Sequence, residues 1–199
     1  MIDIVIPTMK DINEIESLVN EAWRTAGCKV QVMATCQKVS AACNRNRSLD
    51  ISSSDPLIMI DDDLENFQEG WAAALVQVLE EHPKCVMVSP QLADPSGGPG
   101  YMMGGCQVKR TGVTAARLKE LPTACIAIRR NDIRFDEHFI GSGFEDNDYC
   151  RQLCQLYPDA EFLVCHDVWI VHRNEKKKQH GEYWDHNKAY FEKKWGEKR

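Results

Sequence analysis

Three places in the 199-residue chain carry side chains whose types and spacing could do chemistry. The first is Asp61-Asp62-Asp63, which follows directly on the apolar run Leu57–Ile60. Adjacent carboxylates repel one another, so such a triplet is either a solvated turn or a cluster neutralised by a cation. A hard divalent ion takes oxygen ligands and is commonly held by one or two carboxylates plus a substrate's phosphates. The second is the pair Glu145-Asp146 within Gly141-Ser142-Gly143-Phe144-Glu145-Asp146-Asn147-Asp148, where a helical pattern begins. The helix macrodipole favours carboxylates there, so capping alone accounts for each of them singly. The same field keeps Asp146 ionised, the state required of a general base that removes a hydroxyl proton. Gly141 and Gly143 would let a substrate approach the backbone closely. The third is His172, which ends the apolar run 168–171. It reads either as an ordinary hydrogen-bonded histidine or as the nitrogen of a mixed oxygen/nitrogen site for an ion such as manganese.

The elements that must position these groups follow from periodicity. Residues 2–6 read as a buried strand that Pro7 stops. Asp11 and Glu14 have capping-box spacing, and Ile12, Ile15, Leu18, Val19 and Ala22 then mark one helical face. Gly27 ends that helix. Residues 29–35 form a second strand and 40–51 a helix, broken by Ser52-Ser53-Ser54-Asp55-Pro56. A third strand over 57–60, a helix over 69–82 and a fourth strand over 85–89 complete an alternation that predicts a mainly parallel sheet with helices on its faces. Beyond a glycine-rich stretch from Asp94 to Gly105, residues 123–129 read as a strand and 145–157 as a helix. Residues 162–165 and 168–171 then read as two short strands, and 183–195 as a terminal helix. Ligands of an open parallel sheet bind beyond the carboxyl ends of its strands, where the aspartate triplet falls.

Composition bounds the class. With 43% hydrophobic and 27% charged residues the chain is an ordinary globular domain, long enough to form a core without a disulfide or metal staple. A net charge of −6 argues against a nucleic-acid coat protein. The charge is uneven, because residues 173–199 are net basic and Lys176-Lys177-Lys178 is their densest part. That tail reads as a solvated helix face, or as a weak contact with an anionic membrane or nucleic acid. The nine cysteines are odd in number and scattered, the pattern of reduced buried thiols in a cytoplasmic protein. Asp3 interrupts the first apolar run, which lacks the plan of a signal peptide, and no stretch approaches a membrane span.

In this order the motifs resemble the inverting nucleotide-sugar glycosyltransferases of glycosyltransferase family 2, which have the GT-A fold. Ile4-Val5-Ile6-Pro7-Thr8 is similar to that family's opening strand and turn, and Ala42-Cys43-Asn44-Arg45-Asn46 to its small-x-Asn segment. Ile58-Met59-Ile60-Asp61-Asp62-Asp63 resembles its DxD strand. Residues 133–139, containing Phe135-Asp136-Glu137, and Glu145-Asp146-Asn147-Asp148 with Arg151 resemble its FDE…EDxDxxxR signature. His172 and Tyr190-Phe191-Glu192-Lys193-Lys194-Trp195-Gly196 match its tail. The likeness implies a Rossmann-like three-layer α/β/α sandwich forming one domain over 1–199. A nucleotide-sugar half would span 1–90, a variable loop region 91–121, and an acceptor and catalytic half 122–199.

The resemblance also implies roles. Pro7 and Thr8 would line the nucleotide site, and Asp61 or Asp62 would touch the ribose. Asp63 would hold Mn²⁺ or Mg²⁺ on the diphosphate, with Asp61 and His172 as further ligands. Asp146 would be the general base and Glu145 would hold the acceptor. Lys38 and Asn44 stand at the spacing of a diphosphate contact. The second strand ends Ala34-Thr35-Cys36-Gln37, without the acidic residues that read the base in the family. Gln37 or Thr35 would then substitute, or the nucleotide would differ; a UDP-sugar is the favoured donor. The acceptor is an unidentified hydroxyl, and a second copy or a partner would complete its site on so small a core. Two other readings are a metal-dependent nucleotidyltransferase and a non-catalytic nucleotide-sugar-binding module. The first would want a basic glycine-rich loop after strand one, where Met9-Lys10-Asp11 offers a single lysine. The second sits poorly with both acidic groups being present.

Overall fold

A computed structural model of the chain describes residues 1–95, 111–173 and 180–196. Most of the glycine-rich stretch and Lys176-Lys177-Lys178 lie outside the described residues. The strands are β1 (Ile2–Thr8), β2 (Val30–Cys36), β3 (Leu57–Ile60), β4 (Leu64–Glu65), β5 (Cys85–Ala93), β6 (Val113–Ala115), β7 (Cys125–Ile128) and β8 (Glu161–His172). The helices are α1 (Glu16–Thr25), α2 (Ala41–Ile51), α3 (Trp71–Glu81), α4 (Glu145–Leu156) and α5 (His180–Trp195). The strands form one sheet in the order β2-β1-β3-β7-β5-β8-β4, with β6 also paired to β8. Strands β1, β2, β3, β5 and β8 run one way, while β4, β6 and β7 run the other. The carboxyl ends of β1, β2, β3 and β8 therefore face the same edge.

Period-two alternation sorts the strand side chains into two cores. Ile4, Ile6, Ile58 and Ile60 face α1 and α3, where Leu18, Ala22, Trp71, Leu75 and Leu79 cover them. Val5, Leu57 and Met59 face the opposite side, against Ala42 and Leu49 of α2 and Tyr149, Cys150 and Leu153 of α4. The result is the expected α/β/α sandwich. A smaller apolar cluster of Phe139, Phe144 and Phe191 fastens α5 to the loop before α4. Among the described residues no helix is long and apolar enough to cross a membrane.

Three departures from the sequence expectation have physical causes. Pro7 does not stop β1; it pairs with Thr35 inside the strand. The Ile2 amide bonds to Lys29 on the β2 side, so by alternation the amide position of Pro7 faces β3, whose ladder with β1 ends at Val5. A missing N–H there breaks no ladder bond. The two short strands expected over 162–171 are one strand, β8, whose register against β5 shifts between Pro90 and Gln91. A bulge absorbs the non-alternating residues instead of ending the strand. Strands β4 and β6 have no alternation long enough to read, and β4 proves decisive for the site.

Candidate active site

The triplet fans out at the carboxyl end of β3. The Asp61 amide donates to Ala124 O at 2.7 Å, which fixes where the strand ends. Asp62 turns toward β1. Its carboxylate accepts a short hydrogen bond from the Thr8 hydroxyl, and Lys10 Nζ lies 3.6 Å from Oδ1 and 3.0 Å from the Asp62 carbonyl. Asp62 and Thr8 thus tie the ends of β1 and β3 together. Asp63 turns the other way, because Leu64 pairs with His172 as β4 runs antiparallel to β8. Asp63 Oδ1 comes within 3.2 Å of His172 Nε2, and its carbonyl accepts the Arg173 amide at 3.1 Å.

Asp61, Asp63 and His172 consequently present two carboxylate oxygens and an imidazole nitrogen, all within 4.8 Å of one another. That set is compact enough for a single ion, and its mixed oxygen/nitrogen chemistry suits Mn²⁺. The electrostatics agree. Burial pushes the Asp61 carboxyl above its usual range, Arg45 opposes the shift, and the neighbouring Asp63 charge adds to it. Burial alone would lower His172, but its bond to Asp63 and the charges of Asp63 and Asp61 outweigh burial, so the imidazole is held above its ordinary value. The His172 shift reflects the negative charge of Asp63 and Asp61 beside it, whereas the Asp61 shift is chiefly the cost of burying its carboxylate.

The second acidic group opens α4. The residue before the helix, Phe144, has φ +68°, a left-handed backbone uncommon for a bulky side chain. Packing holds it there, with the Phe191 and Trp184 rings centred 5.5 and 4.6 Å from the Phe144 ring. Asp146 Oδ1 accepts the Asn147 amide at 2.8 Å. The helix field does not keep Asp146 ionised as expected: desolvation, and then the adjacent Glu145 charge, outweigh it and push the carboxyl up to about 7. A carboxyl titrating near neutrality suits a base that must take a proton and later release it.

One side chain joins the two acidic groups. Arg45, on α2, is buried; its Nη1 lies 2.6 Å from Glu145 Oε1 and its Nη2 lies 3.2 Å from Asp61 Oδ1. Burial opposes the guanidinium charge, yet Asp61, Glu145 and Asp146 outweigh it and hold Arg45 fully protonated. The guanidinium also lies over the Phe135 ring, 5.6 Å from its centre. Glu145 is further fixed by the Gly143 amide. Its carboxylate is thus committed to Arg45 and the backbone.

Helix α2 supplies more of the frame. Asn44 Nδ2 donates to Thr8 O at 2.7 Å and to Gln37 O at 3.3 Å, closing the turns after β1 and β2. Asn46 exchanges bonds with the Phe135 backbone at 2.8 and 2.9 Å and reaches Glu137 at 2.8 Å. Gln37 is exposed and accepts from Arg47, and Lys38 is exposed on the same turn. Pro7 is half-buried at the end of β1.

The sequence pointed to Asn44 of α2 as a diphosphate contact but gave Arg45 no role. The available signal was the run Asn44-Arg45-Asn46-Arg47-Ser48: five consecutive polar residues go round more than a full turn, so a helix that packs on the sheet must bury some of them. The FDE segment is structural: Phe135 stacks on Tyr149, and Asp136 binds Lys194 at 2.7 Å and Tyr190 at 2.9 Å.

The chain matches no protein-family model, and no curated protein matches it in sequence. Its fold is nevertheless that of solved GT-A enzymes. It superposes on glucosyl-3-phosphoglycerate synthase from Mycobacterium tuberculosis, solved with Mn²⁺, UDP-glucose and phosphoglyceric acid. That match has a TM-score of 0.63 at 16% identity, over 98% of this chain and 80% of that one. GalNAc-T7 with UDP, GalNAc and Mn²⁺ matches with a TM-score of 0.57 at 14% identity, over 95% of this chain. Staphylococcus aureus TarS 1-349 matches with a TM-score of 0.57 at 17% identity, over 87%. The chain spans 43% of the GalNAc-T7 chain and 60% of the TarS chain. The chain has the GT-A fold.

Proposed function

We propose that this chain transfers a sugar from a nucleoside diphosphate sugar, with UDP favoured, to an acceptor hydroxyl with inversion at the anomeric carbon. The observation that carries this reading is the placement of Arg45 between Asp61 and Glu145, at 3.2 and 2.6 Å. It sets the DxD end of β3 and the Glu145-Asp146 end of α4 in one site. The solved relatives carrying UDP or a UDP-sugar with Mn²⁺ support the donor class.

In this reading Asp61, Asp63 and His172 hold Mn²⁺ or Mg²⁺. Such an ion would supply positive charge to stabilise the departing diphosphate. Pro7, Thr8 and the Gln37-Lys38 turn line the nucleotide cleft, and Asn44 keeps that cleft's two turns in register. Asp62 shapes the cleft through Thr8 rather than by reaching into it. Asp146 takes the proton of the acceptor hydroxyl as that oxygen attacks the anomeric carbon from the face opposite the diphosphate. Glu145 positions Asp146 by anchoring the first turn of α4 to Arg45.

The test is incubation with a panel of nucleotide-sugars, with Mn²⁺ and with chelator, while following free sugar, nucleotide and pyrophosphate. Metal-dependent release of nucleoside diphosphate and sugar, or sugar transfer, is expected. Pyrophosphate release in a parallel incubation with nucleoside triphosphates and sugar 1-phosphates would instead indicate a nucleotidyltransferase, and no turnover of any donor would reject the reading.

A further inference from the structure

The loop before α4 carries the approach to Asp146, and a side chain from the far end of the sequence holds it. Asn187, on α5, is fully buried. Its Oδ1 accepts the Ile140 amide at 3.1 Å. Its Nδ2 donates to Ile140 O at 2.8 Å and Gly143 O at 3.0 Å, with Ser142 O at the limit of 3.5 Å. One carboxamide therefore satisfies both the donor and the acceptor groups of a four-residue turn, a task that only Asn or Gln chemistry can perform. The turn is fixed at further points. Gly141 O accepts the Ala41 amide at 2.9 Å, and the Gly143 amide binds Glu145. Gly141, at φ +59°, packs so closely on the Tyr183 ring of α5 that a Cβ would overlap it.

We infer that Asn187 is a positioning residue for catalysis, holding residues 140–143 so that α4 starts where Asp146 meets the acceptor hydroxyl. The inference rests on the assignment of Asp146 as base. The side-chain bonds of Asn187 all go to the backbone of residues 140–143. It acts through Gly143, whose amide fixes Glu145 and, through Glu145, Arg45. Backbone carbonyls released from a buried amide would turn toward water, and the first turn of α4 would move with them. A displacement near 1 Å at the reacting group is enough to lower turnover about 100-fold without changing how the donor binds.

The experiment compares Asn187→Ala and Asn187→Ser with Tyr190→Phe, all well below their melting temperatures. Tyr190→Phe loosens the same helix by removing its bond to Asp136 and leaves residues 140–143 untouched. The expected result is a kcat about 10- to 100-fold lower for both Asn187 variants, donor KM and Mn²⁺ affinity within about twofold of wild type, and near-normal kcat for Tyr190→Phe. Wild-type kcat in a folded Asn187→Ala, or equal losses in it and Tyr190→Phe, would overturn the inference. Should neither Asn187 variant fold, amide exchange of the wild-type protein decides. Strong protection at Ile140 supports the clamp, and exchange at the rate of an open loop refutes it. If the wild-type protein turns over no donor, the functional reading has failed instead. The exchange measurement then still reports on the clamp, and an unprotected Ile140 would refute it independently.

Discussion

Arg45 and Glu145 form a buried ion pair 2.6 Å long between two helices that lie a hundred residues apart in sequence. The pair carries the position of α4 across to the end of β3, where the same guanidinium meets Asp61. Buried pairs contribute little net stability, since desolvation offsets most of the attraction, but removing one partner strands the other. The role of this pair is therefore positional.

Arg45→Met leaves Glu145 buried without its partner and should lower stability by about 3–5 kcal/mol, read by denaturant titration. Arg45→Lys keeps the charge but cannot span both carboxylates, so it should recover part of the stability and little of the turnover. Equal turnover in Arg45→Lys and wild type would contradict the positional role.

Asp63→Ala or His172→Ala removes one of the three converging ligand atoms. Mn²⁺ affinity, measured by calorimetry without substrate, should fall by at least about 10-fold, as loss of even an outer partner does at metal sites. Asp62→Ala should spare Mn²⁺ affinity, because the Asp62 carboxylate is engaged with Thr8 and Lys10. Comparable losses in all three variants would reject this division of labour.

The Asp146 carboxyl titrates near 7 in the folded chain, against an ordinary 3.8. Raised above its unfolded value, it contributes stability that is full below about pH 4 and is lost as pH rises to about 7. Asp146→Asn should therefore match wild type in unfolding free energy at low pH and exceed it by about 1–2 kcal/mol at pH 8, allowing for solvent screening. Turnover should show the opposite trend. It needs the ionised base, so it should rise with pH through neutrality in wild type and be absent in Asp146→Asn. A pH-independent stability difference would refute the shifted carboxyl.

Gly141→Ala introduces a Cβ at φ +59° and against the Tyr183 ring. Both effects oppose folding of the α5 contact, and a loss of about 1–3 kcal/mol in thermal unfolding is expected. An unchanged melting temperature would show that α5 does not pack on this turn.

Much of the fold was legible because buried strands and amphipathic helices write their period into the chain. Leu57–Ile60 alternates between two cores as its run of apolar residues requires, and α4 begins at the acidic residues that suit a helix N-terminus. The chemistry-bearing residue types were legible as candidates, since three adjacent aspartates after an apolar strand must be either solvated or neutralised. What sequence could not supply was direction. Asp61, Asp62 and Asp63 look alike in the chain, and the two-residue strand β4, too short to have a period, sends Asp63 to His172 while Thr8 draws Asp62 to β1.

Asn187 carries no local signal of its importance, and Arg45 shows only as part of a polar run in α2. Each is a polar residue at an ordinary helical position, and each acquires its role only when folding buries it against groups from remote parts of the chain. Local periodicity thus determined the layers and the edge at which the acidic groups gather. Tertiary packing, by desolvating a few polar groups and forcing them to find one another, decided which carboxylate turns to His172, which one turns to Thr8, and that Arg45 joins Asp61 to Glu145.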